Sequence, residues 1–251
     1  MEQTWPRQIW LVRHGQSAGN VARDAAEAAA GLHIDIAERD VDVPLSALGA
    51  EQARALASWF AAMPAQRRPN VVLHSPYVRA ADTARIIIER LGPATLAAVR
   101  VDERLREKEF GILDRLTVLG IERQYPELYE QRQHVGKFYF RPPGGESWCD
   151  VILRLRSIVD TITREFRDQR VLIVGHQVTV NCFRYLFERL DEAAILAIDR
   201  AADVPNCSVT SYVADNAEGK LDLQLTNFVA PLEAAGTPVT AQKDVPAAPK
   251  A

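Results

Sequence analysis

Residues 11–20, LVRHGQSAGN, carry side chains suited to two different kinds of nucleophilic chemistry. The frame Gly15-Gln16-Ser17-Ala18-Gly19 fits the Gly-x-Ser-x-Gly elbow that exposes a serine hydroxyl in many hydrolases. The overlapping Arg13-His14-Gly15, followed by Asn20, instead sets an imidazole beside a guanidinium and an amide, groups that bind and attack a phosphoryl centre. An elbow serine normally follows several strands and works with an upstream oxyanion loop, but here the chain has barely begun. Choosing between Ser17 and His14 requires the elements that position them.

Three short apolar runs share one plan: QIWLVR at 8–13, NVVLHSP at 70–76 and VLIVGH at 171–176 each stop where a helical pattern begins. Continuous apolar runs suit strands buried on both faces, and the strand-loop-helix repeat implies a largely parallel sheet. Ser46 is placed to cap ALGAEQARALASWFAAM, which Pro64 ends. YVRAADTARIIIERL stops at Gly92-Pro93, Ser147 is placed to cap WCDVILRLRSIVDTITREF, and VTVNCFRYLFERL follows the third run. NCSVTSYVAD and KLDLQLTNFV read as an antiparallel hairpin. Residues 21–45 read as an alanine-rich helix followed by a polar loop. The expected architecture is α/β, a three-layer α/β/α sandwich around a mostly parallel, mixed sheet. One domain is expected over 1–230, with a disordered tail over 231–251, where Ala, Pro, Thr and Lys leave little to bury.

In open parallel sheets, ligands bind beyond the carboxyl ends of the strands. Arg13, His14 and Asn20 after the first run, Arg79 in the helix after the second and His176 after the third converge there on an anion. Phosphate matches best, because paired guanidinium bonds and helix N-terminal amides both suit its oxygens. Other phosphatase chemistries fit poorly. Cys149 and Arg154 are wrongly spaced for a cysteine nucleophile, and DVDVP at 40–44 follows a polar stretch and reads as a solvated loop. The serine frame leaves Arg13 and Arg79 without a task.

LVRHGQSAGN, SPYVRAADTA, RLREKEFG and VLIVGHQ resemble, in order, the signature blocks of the histidine phosphatase superfamily, in its phosphoglycerate-mutase-like branch 1. PLSALGAEQA and NCSVTSY extend the likeness over most of the chain. The resemblance implies that His14 attacks phosphorus and carries it as phosphohistidine, that Arg13, Asn20, Arg79, His176 and Gln177 hold the phosphoryl oxygens, and that Glu107 donates a proton to the leaving oxygen. Glu109 would be a neighbour. His14 would attack as neutral imidazole with its other nitrogen donating to a carbonyl between Gly15 and Ser17. Arg13, Arg79 and a protonated His176 would balance the charge that metals balance elsewhere, so no metal or cofactor is expected.

The implied activity is metal-independent phosphomonoester hydrolysis. The alternative is a cofactor-dependent phosphoglycerate mutase-type phosphotransferase; more remote are a non-catalytic phosphate-binding module and a serine hydrolase using Ser17. The mutases carry paired arginines after the proton-donor block, whereas Arg115, Arg123, Arg132 and Arg141 are scattered among acids and read as a solvated face. Tyr139, Phe140 and Arg141 are expected near the Glu107 loop, as a wall of the leaving-group pocket or as packing. His33, His74 and His134 read as surface or satisfied loop residues.

The 251 residues are 47% hydrophobic and 25% charged, with a formal charge of −3. That balance gives no electrostatic case for nucleic acid or an anionic membrane; the expected partner is a small phosphorylated substrate. Cys149, Cys182 and Cys207 are odd in number and show no metal-ligand spacing, which suits reduced thiols. No apolar run approaches the ~18 residues of a membrane span, and MEQTWPRQIW lacks a signal-peptide layout. A cytoplasmic protein is therefore expected. The natural substrate and the oligomeric state are not legible.

Overall fold

The computed structural model describes residues 4–215 and 217–242. The three apolar runs form β1 (Gln8–Arg13), β2 (Val71–His74) and β4 (Arg170–Gly175). They are joined by a short β3 (Ala98–Val101) and by the hairpin β5 (Val209–Asp215) and β6 (Lys220–Phe228). The sheet order is β3-β2-β4-β1-β5-β6. β1 and β2 each pair in parallel with β4, β3 pairs in parallel with β2, and β5 runs antiparallel to both β1 and β6. The sheet is thus mostly parallel and mixed, as expected.

Alternate strand residues feed two separate cores. Ile9, Leu11, Leu73, Val171 and Ile173 pack against α6 (Trp148–Glu165) and α7 (Gln177–Phe187), with α8 (Glu192–Ala201) beside them. Trp10, Val12, Val72, Leu172 and Val174 pack against α2 (Ala47–Ala62) and α3 (Val78–Leu91) on the other face. Helices on both faces complete the α/β/α sandwich. Ser46, Ser147 and Ser17 cap α2, α6 and α1 (Ala18–Ala28), as their side chains suggest. Two helices that the pattern does not announce, α4 (Val118–Gln124) and α5 (Pro126–Val135), follow the Glu107 loop.

The expectation of a disordered tail needs correction as far as Gln242. Residues Ala230–Ala234 form α9, whose Leu232 is fully buried against α2 and α3. Beyond it, Gln52 Nε2 donates to Pro238 O and Thr240 Oγ1, both at 2.9 Å. Composition missed this because the anchoring is mostly polar. Residues 243–251, the rest of that expected tail, lie outside the described residues.

Candidate active site

Strand register brings the chemistry together. β1 pairs Arg13 with Gly175 of β4, and β4 pairs Val174 with His74 of β2, so His14, Ser75 and His176 leave the sheet at one level. His14 N continues the ladder by donating to Gly175 O, 3.0 Å. The loop after β1 then lies against the N-terminus of α2, where a side chain on Gly15 would run into the Gly49 carbonyl. Gly15 thus serves a close backbone approach.

That loop engages the Ser17 side chain in a backbone hydrogen bond. Ser17 Oγ accepts the Asn20 amide at 3.1 Å while Asn20 Oδ1 accepts the Ser17 amide at 2.9 Å, a reciprocal cap on α1. Neither nearby imidazole engages it: His14 bonds Gly15, and His176 Nε2 lies 2.8 Å from Ser75 Oγ. Ser17 is a helix cap.

His14 Nδ1 donates to the Gly15 carbonyl at 2.7 Å, so Nε2 carries the lone pair. Burial, then the positive charges of Arg79 and Arg13, hold this imidazole well below its ordinary range, and it is neutral at physiological pH. Its ring lies 5.2 Å from that of His176. His176 departs from expectation. Burial, with Arg79 next, pushes its pKa well down too, which holds it neutral rather than protonated. Its buried Nδ1 has no hydrogen-bond partner and faces Glu107 Oε2 at 3.8 Å.

Glu107 shows the opposite shift. Burial raises its carboxyl to about 7, against the opposing pull of the Lys108 amide, which donates to Oε1 at 2.8 Å. A carboxyl poised there can deliver and retrieve a proton near neutrality. Glu109 is a neighbour, accepting the Tyr77 hydroxyl at 2.8 Å. The Glu107 loop is pinned from behind by Arg154, which donates to the carbonyls of Arg104 at 2.5 Å and Glu107 at 3.2 Å and pairs with Glu146.

Arg13, His14, Asn20, Arg79, Glu107 and Gln177 line one cavity of ≈ 180 Å³, while His176, fully buried beside His14, is not part of that lining. Every residue assigned to the site is therefore brought together. Arg13 Nη1 is anchored on Val204 O at 2.6 Å, and Asn20 Nδ2 donates to Gln242 Oε1 at 2.5 Å.

Other positions depart from the sequence reading. Asp40, placed in a solvated loop, turns its carboxylate onto Arg79 at 2.9 Å, while its carbonyl accepts from Arg79 Nη1 at 2.6 Å. Arg115, read as part of a solvated face, reaches the cavity wall, as does Arg23. Conversely, Tyr139, Phe140 and Arg141 are absent from that wall: Phe140 is buried in packing, Tyr139 is exposed, and Arg141 pairs with Asp150. Ser75, in the Ser-Pro turn after β2, also meets the site, its Oγ 2.8 Å from His176 Nε2. Among the described residues no three His, Cys, Asp or Glu side chains gather as a metal-ligating cluster.

Residues 9–227 match the family profile of the histidine phosphatase superfamily (branch 1). The chain belongs to this superfamily. It is 30% identical over 224 residues to the 6-phosphofructo-2-kinase/fructose-2,6-bisphosphatase of Caenorhabditis elegans, covering 86% of this chain and 43% of that protein. A phosphoglycerate mutase-like protein of Arabidopsis thaliana is 30% identical over 71% of this chain and 64% of its own length. The chain therefore spans less than two thirds of these relatives. Among solved structures, a mycobacterial glucosyl-3-phosphoglycerate phosphatase complexed with VO3 superposes with a TM-score of 0.67 at 27% identity, over 88% of this chain and 99% of that one. No helix among the described residues is long and apolar enough to cross a membrane.

Proposed function

We propose that this histidine phosphatase superfamily member hydrolyses phosphomonoesters without a metal, through a phosphohistidine on His14. One observation carries the reading: a neutral His14, locked through Nδ1 onto Gly15 O, shares a cavity with Arg13, Arg79 and a carboxyl raised to about 7. Arg13, Asn20, Arg79 and Gln177 receive the phosphate oxygens, and the incoming dianion supplies the negative charge that lets His176 take up a proton.

His14 Nε2 attacks phosphorus as the P–O ester bond breaks, and the departing oxygen takes the Glu107 proton and leaves as alcohol. The Glu107 carboxylate then accepts a proton from water, whose oxygen attacks phosphorus as the P–N bond breaks. Phosphate leaves, and both side chains return to their starting states. The reading extends to a reducing, cytoplasmic setting, supported by Cys149, Cys182 and Cys207 all being free thiols.

The test is trapping. Acid-labile, base-stable phosphate is expected on the wild type and not on His14→Ala, which should be inactive, while Ser17→Ala keeps most of its turnover. An active His14→Ala would overturn the reading. 2-Phosphoglycerate formation from 3-phosphoglycerate with 2,3-bisphosphoglycerate, well above phosphate release, would favour the phosphotransferase instead.

A further inference from the structure

Beyond the phosphate-binding groups, the cavity is walled by two segments far apart in sequence: Ile34, Ile36 and Val43 from the stretch between α1 and α2, and Leu116, Val118 and Ile121 from the entry to α4. These segments are bonded to each other. Ile34 N donates to Arg115 O at 2.8 Å, Thr117 N donates to Leu32 O at 3.1 Å, and Thr117 Oγ1 donates to Gly31 O at 2.7 Å. Gln124 Nε2 adds a bond to His33 Nε2 at 2.6 Å. A side chain on Gly120 would strike the Leu32 carbonyl, so the contact tolerates no spacer. The apolar wall is therefore preformed, and it opens directly onto His14.

The charges on the same wall are already balanced or negative. Arg23 pairs with Glu27 at 2.9 Å, and Arg115 donates to Glu38 O at 2.8 Å with Asp114 at 4.0 Å. Glu38, Asp40 and Asp114 also line the cavity. Asp40 is held by Arg79 at 2.9 Å, and burial, with Asp40 next, pushes Asp114 above the ordinary carboxyl range against the pull of Arg115. A second phosphate or carboxylate on the substrate would find the arginines of this wall already engaged and would have to displace those contacts. Hydroxyls set against Ile34, Ile36 and Ile121 would lose water without regaining hydrogen bonds from those side chains.

We propose that the alcohol released by this site is apolar and carries no second anionic group, so that the substrate class is monophosphates of alkyl, isoprenoid or aromatic alcohols. This rests on the hydrolase reading for turnover but not for binding. Each methylene taken from water into such a wall should tighten binding about two- to fourfold until the cavity is filled.

Calorimetry with non-hydrolysable alkylphosphonates from ethyl to octyl reads the inference without any chemistry. The affinity is expected to climb by that factor per methylene over the shorter members, and 2-carboxyethylphosphonate to bind at least tenfold more weakly than butylphosphonate. Ile121→Asn and Ile36→Asn, on opposite segments, should each flatten the climb. A flat series, or tighter binding of the carboxylate analogue, overturns the inference. If p-nitrophenyl phosphate is hydrolysed in a His14-dependent way while the series is flat, only the substrate class is wrong. If the series climbs but no monoester is turned over, the hydrolase reading fails and the apolar pocket stands.

Discussion

Replacing Glu107 with Gln should damage catalysis and stabilise the fold at the same time, each to a predictable extent. In the folded chain the carboxyl titrates at about 7, against an ordinary value of 4.5. Between those values the folded state holds a proton that the unfolded chain has lost, so stability falls as pH rises through this window. By pH 8 the ionised, buried carboxylate costs about 3 kcal/mol; at pH 5 the cost is about 1 kcal/mol, and below pH 4 it vanishes. Glutamine cannot ionise, and its carbonyl can still accept the Lys108 amide that now donates to Oε1. Glu107→Gln should therefore melt roughly 6–10 °C above the wild type at pH 8 and much closer to it at pH 5. His14 is held neutral by burial and its arginines in both proteins, so its effect cancels in the difference. Turnover of alkyl phosphates should fall roughly 10²–10⁴-fold, while p-nitrophenyl phosphate, whose leaving group needs little protonation, should lose far less. Differential scanning calorimetry at the two pH values and parallel rate assays provide the readouts. A variant less stable than the wild type at pH 8, or equal losses on both substrates, would refute the assignment of Glu107 as the buried acid.

Asp40→Asn removes the counter-charge from Arg79 and one of the charges that raise Glu107. Inhibition by inorganic phosphate should tighten severalfold, and the alkaline limb of the rate profile on alkyl phosphates should move to lower pH; weaker inhibition would place Asp40 among the groups that assist phosphate. Arg154→Lys replaces a planar fork that spans two carbonyls and Glu146 with a single point charge. It should lower kcat on alkyl phosphates more than on p-nitrophenyl phosphate, with phosphate inhibition nearly unchanged, since Arg154 acts by holding the Glu107 loop; a loss confined to KM would contradict that role. Activity is expected to survive EDTA, and loss with recovery on adding a divalent cation would require a metal in the mechanism.

The sequence was informative where a side chain's chemistry sat at the end of a continuous apolar run. β1, β2 and β4 are buried along nearly their whole length, which is why their runs are uninterrupted and why His14, Ser75 and His176 emerge together. β3 escaped notice for the converse reason. Its Val99 and Val101 are exposed at the sheet edge, and Arg100 between them pairs with Glu165, so neither alternation nor a buried run marks it.

The environment of the site was less legible because it is made by contacts between segments rather than by period. Asp40 reaches Arg79 only because the polar stretch after α1 folds back over α3, and Gln242 reaches Asn20 across 222 positions. Arg115 adopts a left-handed backbone, φ 59°, while its guanidinium holds the Glu38 carbonyl. None of these contacts follows from composition, since a polar loop that binds a loop has the same residues as one that binds water. The two kinds of legibility divide the enzyme along a functional line. The proposed phosphate end rests on strand termini, where buried backbone fixes geometry and the residue types declare their chemistry. The wall proposed to receive the alcohol is built from the two segments that lack periodicity, residues 31–45 and 110–121, joined to each other through Ile34, Leu32 and Thr117. Substitutions there can change which ester fits without disturbing His14, Glu107 or the sheet that carries them.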